Sequence, residues 1–389
     1  MSTPTAALTP PSGPASLMDC FGDLPDPRVN RTREHRLIDV VVIGFCTILA
    51  GGEGFNDMEE FGKAKESWFR TFLELPNGIP RHDTFNRVFQ ALDPEAFLEC
   101  FLRWTKGLRS VFAGEVVAVD GKALRRALDK GKGAALPYIV SAWASDNGLV
   151  LGQVKVDEKS NEITAVPELL RALDLKGCIV TVDAMGCQKK IARQVVEAGA
   201  DYALALKGNH EVVHDEVKRF LDDLIERRRQ VPESVTGLGF HETVEKDHGR
   251  IETRRFWQSC DVGWFADRDE WKGLRSFGAV ESVRDIGGVL SVERRYYLLS
   301  LGSDVCAFSK ASRQHWGVEN NVHWCLDVTF KEDYSRSRMG HAAQNLATLR
   351  RLALNALRRE PGKRSLRLKV KRAGWDNDYL FKVLGIDPA

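Results

Sequence analysis

Along the N-terminal part of the chain, apolar residues return every three or four positions. LIDVVVIGFCTILAG, MEEFGKAKESWFRTFLEL, GIPRHDTFNRVFQAL and PEAFLECFLRWTKGLRSVF all carry this period, so residues 17–114 are expected to be all-helical. In the third segment Pro80 and Asp83 open a helix whose start is basic through Arg81, His82 and Arg87. DNA-reading helices and plain bundle connections share that feature. From Glu115 the period changes. EVVAVD, ALPYIVSAWAS and LVLGQVKV read as strands, the last two joined by a turn at Asp146, Asn147 and Gly148. EITAVPELLRALDL reads as a helix, CIVTVD as a strand, KKIARQVVEAG as a helix, YALALK as a strand and 211–229 as a long helix. This order predicts an α/β fold, a mixed sheet with flanking helices. Alternation in HETVEKDHGRIETRRFW and VLSVERRYYLLSL makes 235–302 β-rich, and 309–325 and 340–359 return to helical spacing. The polar, Pro-rich residues 1–16 are expected to be disordered.

Length and composition change this picture little. The 389 residues, 28% charged and 43% apolar, suit a soluble protein of two or three cores. The net charge of +2 hides an asymmetry, since residues 336–389 hold thirteen Lys/Arg against four Asp/Glu. Such a basic segment, ending in a 360–389 tail, suits a polyanion as well as a solvated helix face. The eight cysteines show neither CxxC nor zinc-finger spacing, which reads as reduced thiols of a cytoplasmic protein. The most apolar stretch, Val40–Gly52, falls short of the roughly 20 residues that span a bilayer, and no signal-peptide core precedes it, so no membrane partner is expected.

The chemistry concentrates in two repeats of one pattern. VVAVDGK ends an apolar strand on Asp120, and IVTVDAMG ends another on Asp183. Two strands of one sheet that each deliver an acid at the C-terminal end put both carboxylates at the ligand-binding edge. Such a pair is relieved by a divalent cation with oxygen ligands, such as Mg²⁺. The plainer role of each acid is a helix cap, which Gly121 and Lys122 make awkward for Asp120. A third acid is sought in QHWGVENNVHWCLDV, where His315, Glu319, His323 and Asp327 recur every four residues as on one helical stripe. Either Glu319 is the third carboxylate, or His315 and His323 hold zinc, or the stripe is a solvated edge with Trp316 and Trp324 stacked on it. The two histidines stand eight residues apart, which is not the HExxH spacing of a zinc peptidase.

VDGKALR, VTVDAMGCQ, YALALKGNH and HWGVENNVHWCLDVTFKED, with FGDLPDPR near the N-terminus, resemble the DDE transposases of bacterial insertion sequences, and within them the H-repeat-associated group. The similarity runs from about Leu17 to Leu357. It implies a ribonuclease H-like catalytic domain over 115–234 and 303–359, with 235–302 as a β-rich insertion and 17–114 as a DNA-associated helical domain. It carries the triad onto Asp120, Asp183 and Glu319, which would bind Mg²⁺, with Mn²⁺ as substitute. It implies double-stranded DNA as partner, both the element's terminal inverted repeats and the target, and a homodimer that handles two ends. Wider relatives carry a Tyr and an Arg before the Glu and a Lys after it, where this chain has Ser312, His315 and Leu326. His315, His323 and Asp327 are therefore the candidates for gripping DNA beside Glu319.

Further DNA contacts are expected from Lys122 and Arg125, just beyond Asp120. His248, Arg250 and Arg254 in the β-rich segment, on a strand face that could follow phosphates, and Lys159 and Asn161 before a helix are further candidates for DNA contact; exposed strand charges and a helix cap are their simpler roles. The GK at 121–122 lacks the glycines of a Walker loop. Two other classes remain open: a metal-dependent endonuclease that does not join strands, and a DNA-binding descendant that no longer cuts.

Overall fold

The computed structural model describes residues 7–9, 16–127, 136–156, 162–231, 233, 235–247 and 250–386. In chain order the helices are α1 (Leu17–Phe21), α2 (Leu37–Leu49), α3 (Phe55–Ala64), α4 (Glu66–Phe69), α5 (His82–Ala91), α6 (Pro94–Leu108), α7 (Glu162–Arg171), α8 (Lys189–Glu197), α9 (Glu211–Gln230), α10 (Val305–His315), α11 (Trp324–Val328), α12 (Ala342–Arg359), α13 (Leu366–Trp375) and α14 (Asn377–Leu384). The strands of the main sheet are β1 (Val116–Ala123), β2 (Tyr138–Ala144), β3 (Leu149–Val156), β4 (Ile179–Val182), β5 (Asp201–Leu206), β6 (Leu238–Asp247), β7 (Arg250–Ser259), β8 (Ser276–Ile286) and β9 (Val289–Leu299). Nine strands make this sheet, and its directions are mixed. The expected helical N-terminal region and mixed α/β body are both present.

Two compact units divide the chain. The first takes Met1–Leu8, Val111–Asp120 and Glu162–Val318. Its strands run in the order β1-β4-β5-β9-β8-β7-β6. β1, β4 and β5 are parallel, with Val119 opposite Val182 and Val182 opposite Leu204. Val116 to Val119 are at most 1% exposed, as a continuous apolar run buried on both faces requires. β9 pairs antiparallel with β5, and β8, β7 and β6 follow as an antiparallel meander. The β-rich segment thus extends the sheet that begins at β1. Val116, Ile179, Phe256, Tyr297 and Leu299 form the core on which α10 packs Phe308 and Ala311. Gly278 makes that approach possible, because a Cβ there would come within 2.6 Å of the Phe308 ring.

The second unit takes Thr9–Ser110, Gly121–Asn161 and Glu319–Ala389. The last residues of β1 continue into it, with β2 beside β1 and β3 beyond. β2 and β3 form the expected hairpin, from Tyr138 opposite Val156 to Ala144 opposite Leu149, and Gly148 supplies the positive φ of its turn (67°). α2 is buried along almost its whole length, against α3 and α12. Its apolar residues occupy every side of the helix, which is why it lies inside the bundle and not on its surface. α12 is tied to its neighbours through buried amides. Asn345 donates to Phe89 O and Leu92 O at 2.9 Å, and Asn355 exchanges two 2.8 Å bonds with the Val150 backbone.

The compact units are divided differently from the domains read in the sequence. Residues 121–156 and 319–359, read from the sequence as catalytic domain, cluster with the N-terminal helices. The basic 360–389 segment is no free tail, since α13 and α14 belong to the helical body. Phe381 stacks 4.8 Å from Trp68 and 5.4 Å from Phe72, and buried Lys369 donates to Leu357 O at 2.9 Å. Phe381, Leu380 and Val370 are apolar and buried, and burying them outweighs the surrounding charge. All eight cysteines are free and six are buried. No helix among the described residues is long and apolar enough to cross a membrane.

Candidate active site

The first unit brings Asp120 and Asp183 together. Each follows the last residue paired in the Val119–Val182 register, so the two stand side by side where the parallel pairing ends. β1 itself runs on to Ala123, past the Asp120 on which the sequence pattern ends it. Both are half-buried. Asp183 also caps the short turn Ala184–Gly186, its Oδ1 accepting from Met185 N at 3.1 Å and Gly186 N at 3.5 Å. The cap read from the sequence is therefore real, and it fixes the direction of the carboxylate.

His315 closes α10 beside this edge. Its Nδ1 lies 3.0 Å from Thr181 Oγ1 on β4. Burial pushes the imidazole down to about 4, against the opposing pull of Asp183. At neutral pH the ring is uncharged, so it neither grips phosphate as a cation nor offsets the aspartates. The residue expected as a DNA contact is thus a half-buried partner of β4. Arg295 stacks 4.6 Å over the neighbouring Trp316.

The second unit begins at Glu319. The chain does not continue α10 as one helix, contrary to the stripe read from the sequence. α10 ends at His315, Glu319–His323 forms a π-helical turn, and α11 starts at Trp324. A π turn spends more residues per turn than an α-helix, so the four-residue period does not keep the ionisable side chains on one face. Within the turn, His323 Nδ1 lies 2.9 Å from Glu319 Oε2. The Glu319 side chain is 63% exposed and that of His323 only 6%. The histidine thus backs the carboxylate from inside.

Lys122 also departs from expectation. Its side chain is 8% exposed, with Nζ 2.8 Å from Asp327, 2.9 Å from Asp333 and 3.6 Å from Glu332. Burial works against the charged amine, but Glu332, Asp327 and Asp333 outweigh it and hold its pKa above the ordinary value. Glu332 in turn meets Arg351 at 3.0 Å; burial raises its pKa, and Arg351, Lys122 and Arg350 bring it below the usual carboxylate range. Lys122 and Asp327, both expected on DNA, belong to this internal network. Local pattern reading misses Glu332, Asp333 and Arg351, whose only trace in the sequence is charge amid helical spacing. The Arg125 side chain is 78% exposed, with Asp333 at 3.6 Å. Arg254 pairs with Glu245 and Glu252. Lys159, Asn161, His248 and the side chain of Arg250 lie outside the described residues.

Known proteins match the chain along most of its length. Residues 112–356 fit the family model described as transposase DDE domain, and residues 18–105 the one described as DDE_Tnp_1-associated. YhhI, an H repeat-associated protein of Escherichia coli K12, is 38% identical over 375 residues, 95% of this chain and 97% of its own length. The "Uncharacterized protein in dhlA 3'region" of Xanthobacter autotrophicus is 44% identical over 288 residues, 73% of this chain and 94% of its own length. A third relative, the "Inactive transposase YbfQ" of Escherichia coli K12, is 35% identical over 72 residues, 18% of this chain and 86% of its own. With its helical N-terminal region and its mixed sheet bearing two edge aspartates, the chain belongs to the DDE transposase family, whose catalytic domain is ribonuclease H-like.

Proposed function

We propose that the chain is a DNA transposase that cuts at the ends of its mobile element and joins them to target DNA through Asp120, Asp183 and Glu319. One observation carries the reading: two acids stand side by side where the parallel pairing of β1 and β4 ends, inside a family of DNA-transferring proteins. Two neighbouring carboxylates repel, and the histidine beside them stays neutral. Two carboxylates side by side suit a hard divalent ion with oxygen ligands, Mg²⁺ or Mn²⁺. Bound there, such an ion would activate an attacking oxygen and stabilise a leaving one.

The chain's own residues do the positioning. The Met185 and Gly186 amides fix the Asp183 carboxylate. His323 holds Glu319 from behind. The Lys122 cluster anchors β1 two residues beyond Asp120, and exposed Arg125 and Arg126 supply charge for phosphates. Duplex DNA, element end and target alike, is the substrate. A homodimer in the cytoplasm follows from the need to process two ends together. Acids at all three triad positions favour a cutting enzyme over a non-cutting relative.

The test is cleavage and joining of a labelled duplex bearing the terminal inverted repeat, with Mg²⁺, Mn²⁺ or EDTA. Asp120→Asn, Asp183→Asn and Glu319→Gln are compared with the wild type. Metal-dependent nicking at the repeat end, lost in all three variants, is expected. Nicking without any joined product would replace the reading by that of an endonuclease. Binding without cleavage under every metal would replace it by that of a DNA-binding relative.

A further inference from the structure

Two cavities of the second unit share one residue. The first, about 480 Å³, is lined by Arg125, Arg126, Lys331 and Tyr334 together with Asp327 and Asp333. The second, about 490 Å³, is lined by Asn56, Asn86, Gln90, Tyr334, Arg336 and Arg338 among others. Tyr334 is 56% exposed, so the two hollows meet at an accessible aromatic ring.

Their linings differ in chemistry. In the first, the Arg126 guanidinium lies 4.8 Å and the Lys331 amine 5.8 Å from the Tyr334 ring centre. The acids there, Asp327 and Asp333, already face Lys122. What this half presents outward is positive charge close to the exit of β1, which suits backbone phosphates. The second half presents side-chain amides and guanidinia beside the exposed Glu53 carboxylate; amides and guanidinia are the groups that read base edges by paired hydrogen bonds. Gln90 Nε2 donates to Asn86 Oδ1 at 2.7 Å, and the bond leaves Asn86 Nδ2 and Gln90 Oε1 outside it. Asp57 is occupied by the Glu53 and Gly54 amides at 2.7 and 3.2 Å.

The walls are locked in place. His341 N donates to Gln90 O at 3.0 Å, and Arg338 Nε donates to Arg126 O at 3.1 Å. Gly340 has φ +54°, and a Cβ there would stand 2.5 Å from Gln90 O. The 334–340 loop is thereby seated directly on the end of α5. Such preorganisation distinguishes a binding groove from a fold in a mobile surface loop.

We infer that this two-part groove is where duplex DNA is told apart by sequence. Arg125, Arg126 and Lys331 hold phosphates just past the end of β1, while Asn56, Asn86, Gln90 and Arg336 read the element's terminal bases. The inference rests on the function proposed above and goes beyond it by separating residues that read from residues that grip.

The test is fluorescence anisotropy with the full chain in EDTA. One labelled duplex carries the terminal inverted repeat and another of equal length is scrambled, each measured over a range of salt. The double variant Asn86→Ala/Gln90→Ala and the exposed single variant Asn56→Ala are expected to lose about tenfold or more of the preference for the repeat. Arg126→Ala is expected to weaken both duplexes alike and to lower the salt slope by about one. Thermal melts establish which variants fold. If folded variants keep the wild-type preference, the groove assignment is overturned while the function stands. If the wild type binds neither duplex, the proposed function itself falls.

Discussion

The Lys122 amine lies 2.8 Å from the Asp327 carboxylate, inside the protein and two residues beyond Asp120. Removing one partner of a buried ion pair leaves the others uncompensated, which costs about 3–5 kcal/mol. Lys122→Met is therefore expected to lower unfolding stability by that amount in a denaturant titration. A variant as stable as the wild type would mean that the acids are hydrated and the network is not structural.

His323→Ala removes the group that backs Glu319. Residues that orient a metal-binding carboxylate are worth about 10–100-fold in activity or metal affinity. The expected result is a cleavage rate lowered by that factor, with a higher divalent-ion requirement and partial recovery in His323→Gln. Unchanged metal dependence would reduce the contact to local packing.

His315 titrates near 4 in the folded chain because burial disfavours its charged form. The unfolded chain binds that proton at about pH 6.5, so the folded state gains stability as pH rises. The contribution is full above about 6.5 and is lost as pH falls towards 4. Unfolding of the wild type in EDTA is expected to ease between pH 6.5 and 4.5, and His315→Asn to remove part of that slope. Parallel curves for the two proteins would show the ring to be hydrated.

Phe381 is 7% exposed against Trp68 and Phe72. Phe381→Ala is expected to cost about 3–5 kcal/mol, as a buried aromatic does. A change below about 1 kcal/mol would return the C-terminal helices to the status of a loose basic tail.

Gly340→Ala forces a Cβ against Gln90 O in a backbone conformation with φ +54°. Strain of this kind costs about 1–3 kcal/mol, read as a lower melting temperature. An unchanged melt would show that the 334–340 loop relaxes without cost.

Much of this protein is legible in its local pattern. Helical spacing announces α2, α5, α6 and α9, and apolar runs announce β1, β4 and β5, because burial of one face or of both is written in neighbouring residues. The acids at 120 and 183 stand out for the same reason, since a charged residue ending a buried strand demands an explanation on the spot. Glu319 stands out only through the resemblance of its surroundings to a family. What local pattern does not contain is which distant residues meet. The Val119–Val182 register makes Asp120 and Asp183 neighbours, and the packing of 327–333 against β1 ties Lys122 into an internal network of acids. The π turn breaks an apparent stripe of ionisable residues, and Phe381 brings a basic segment into the helical body. Each of these depends on strand register or on the fit of side chains far apart in the chain. Spacing along one element carries no information about either, so only the folded chain decides them.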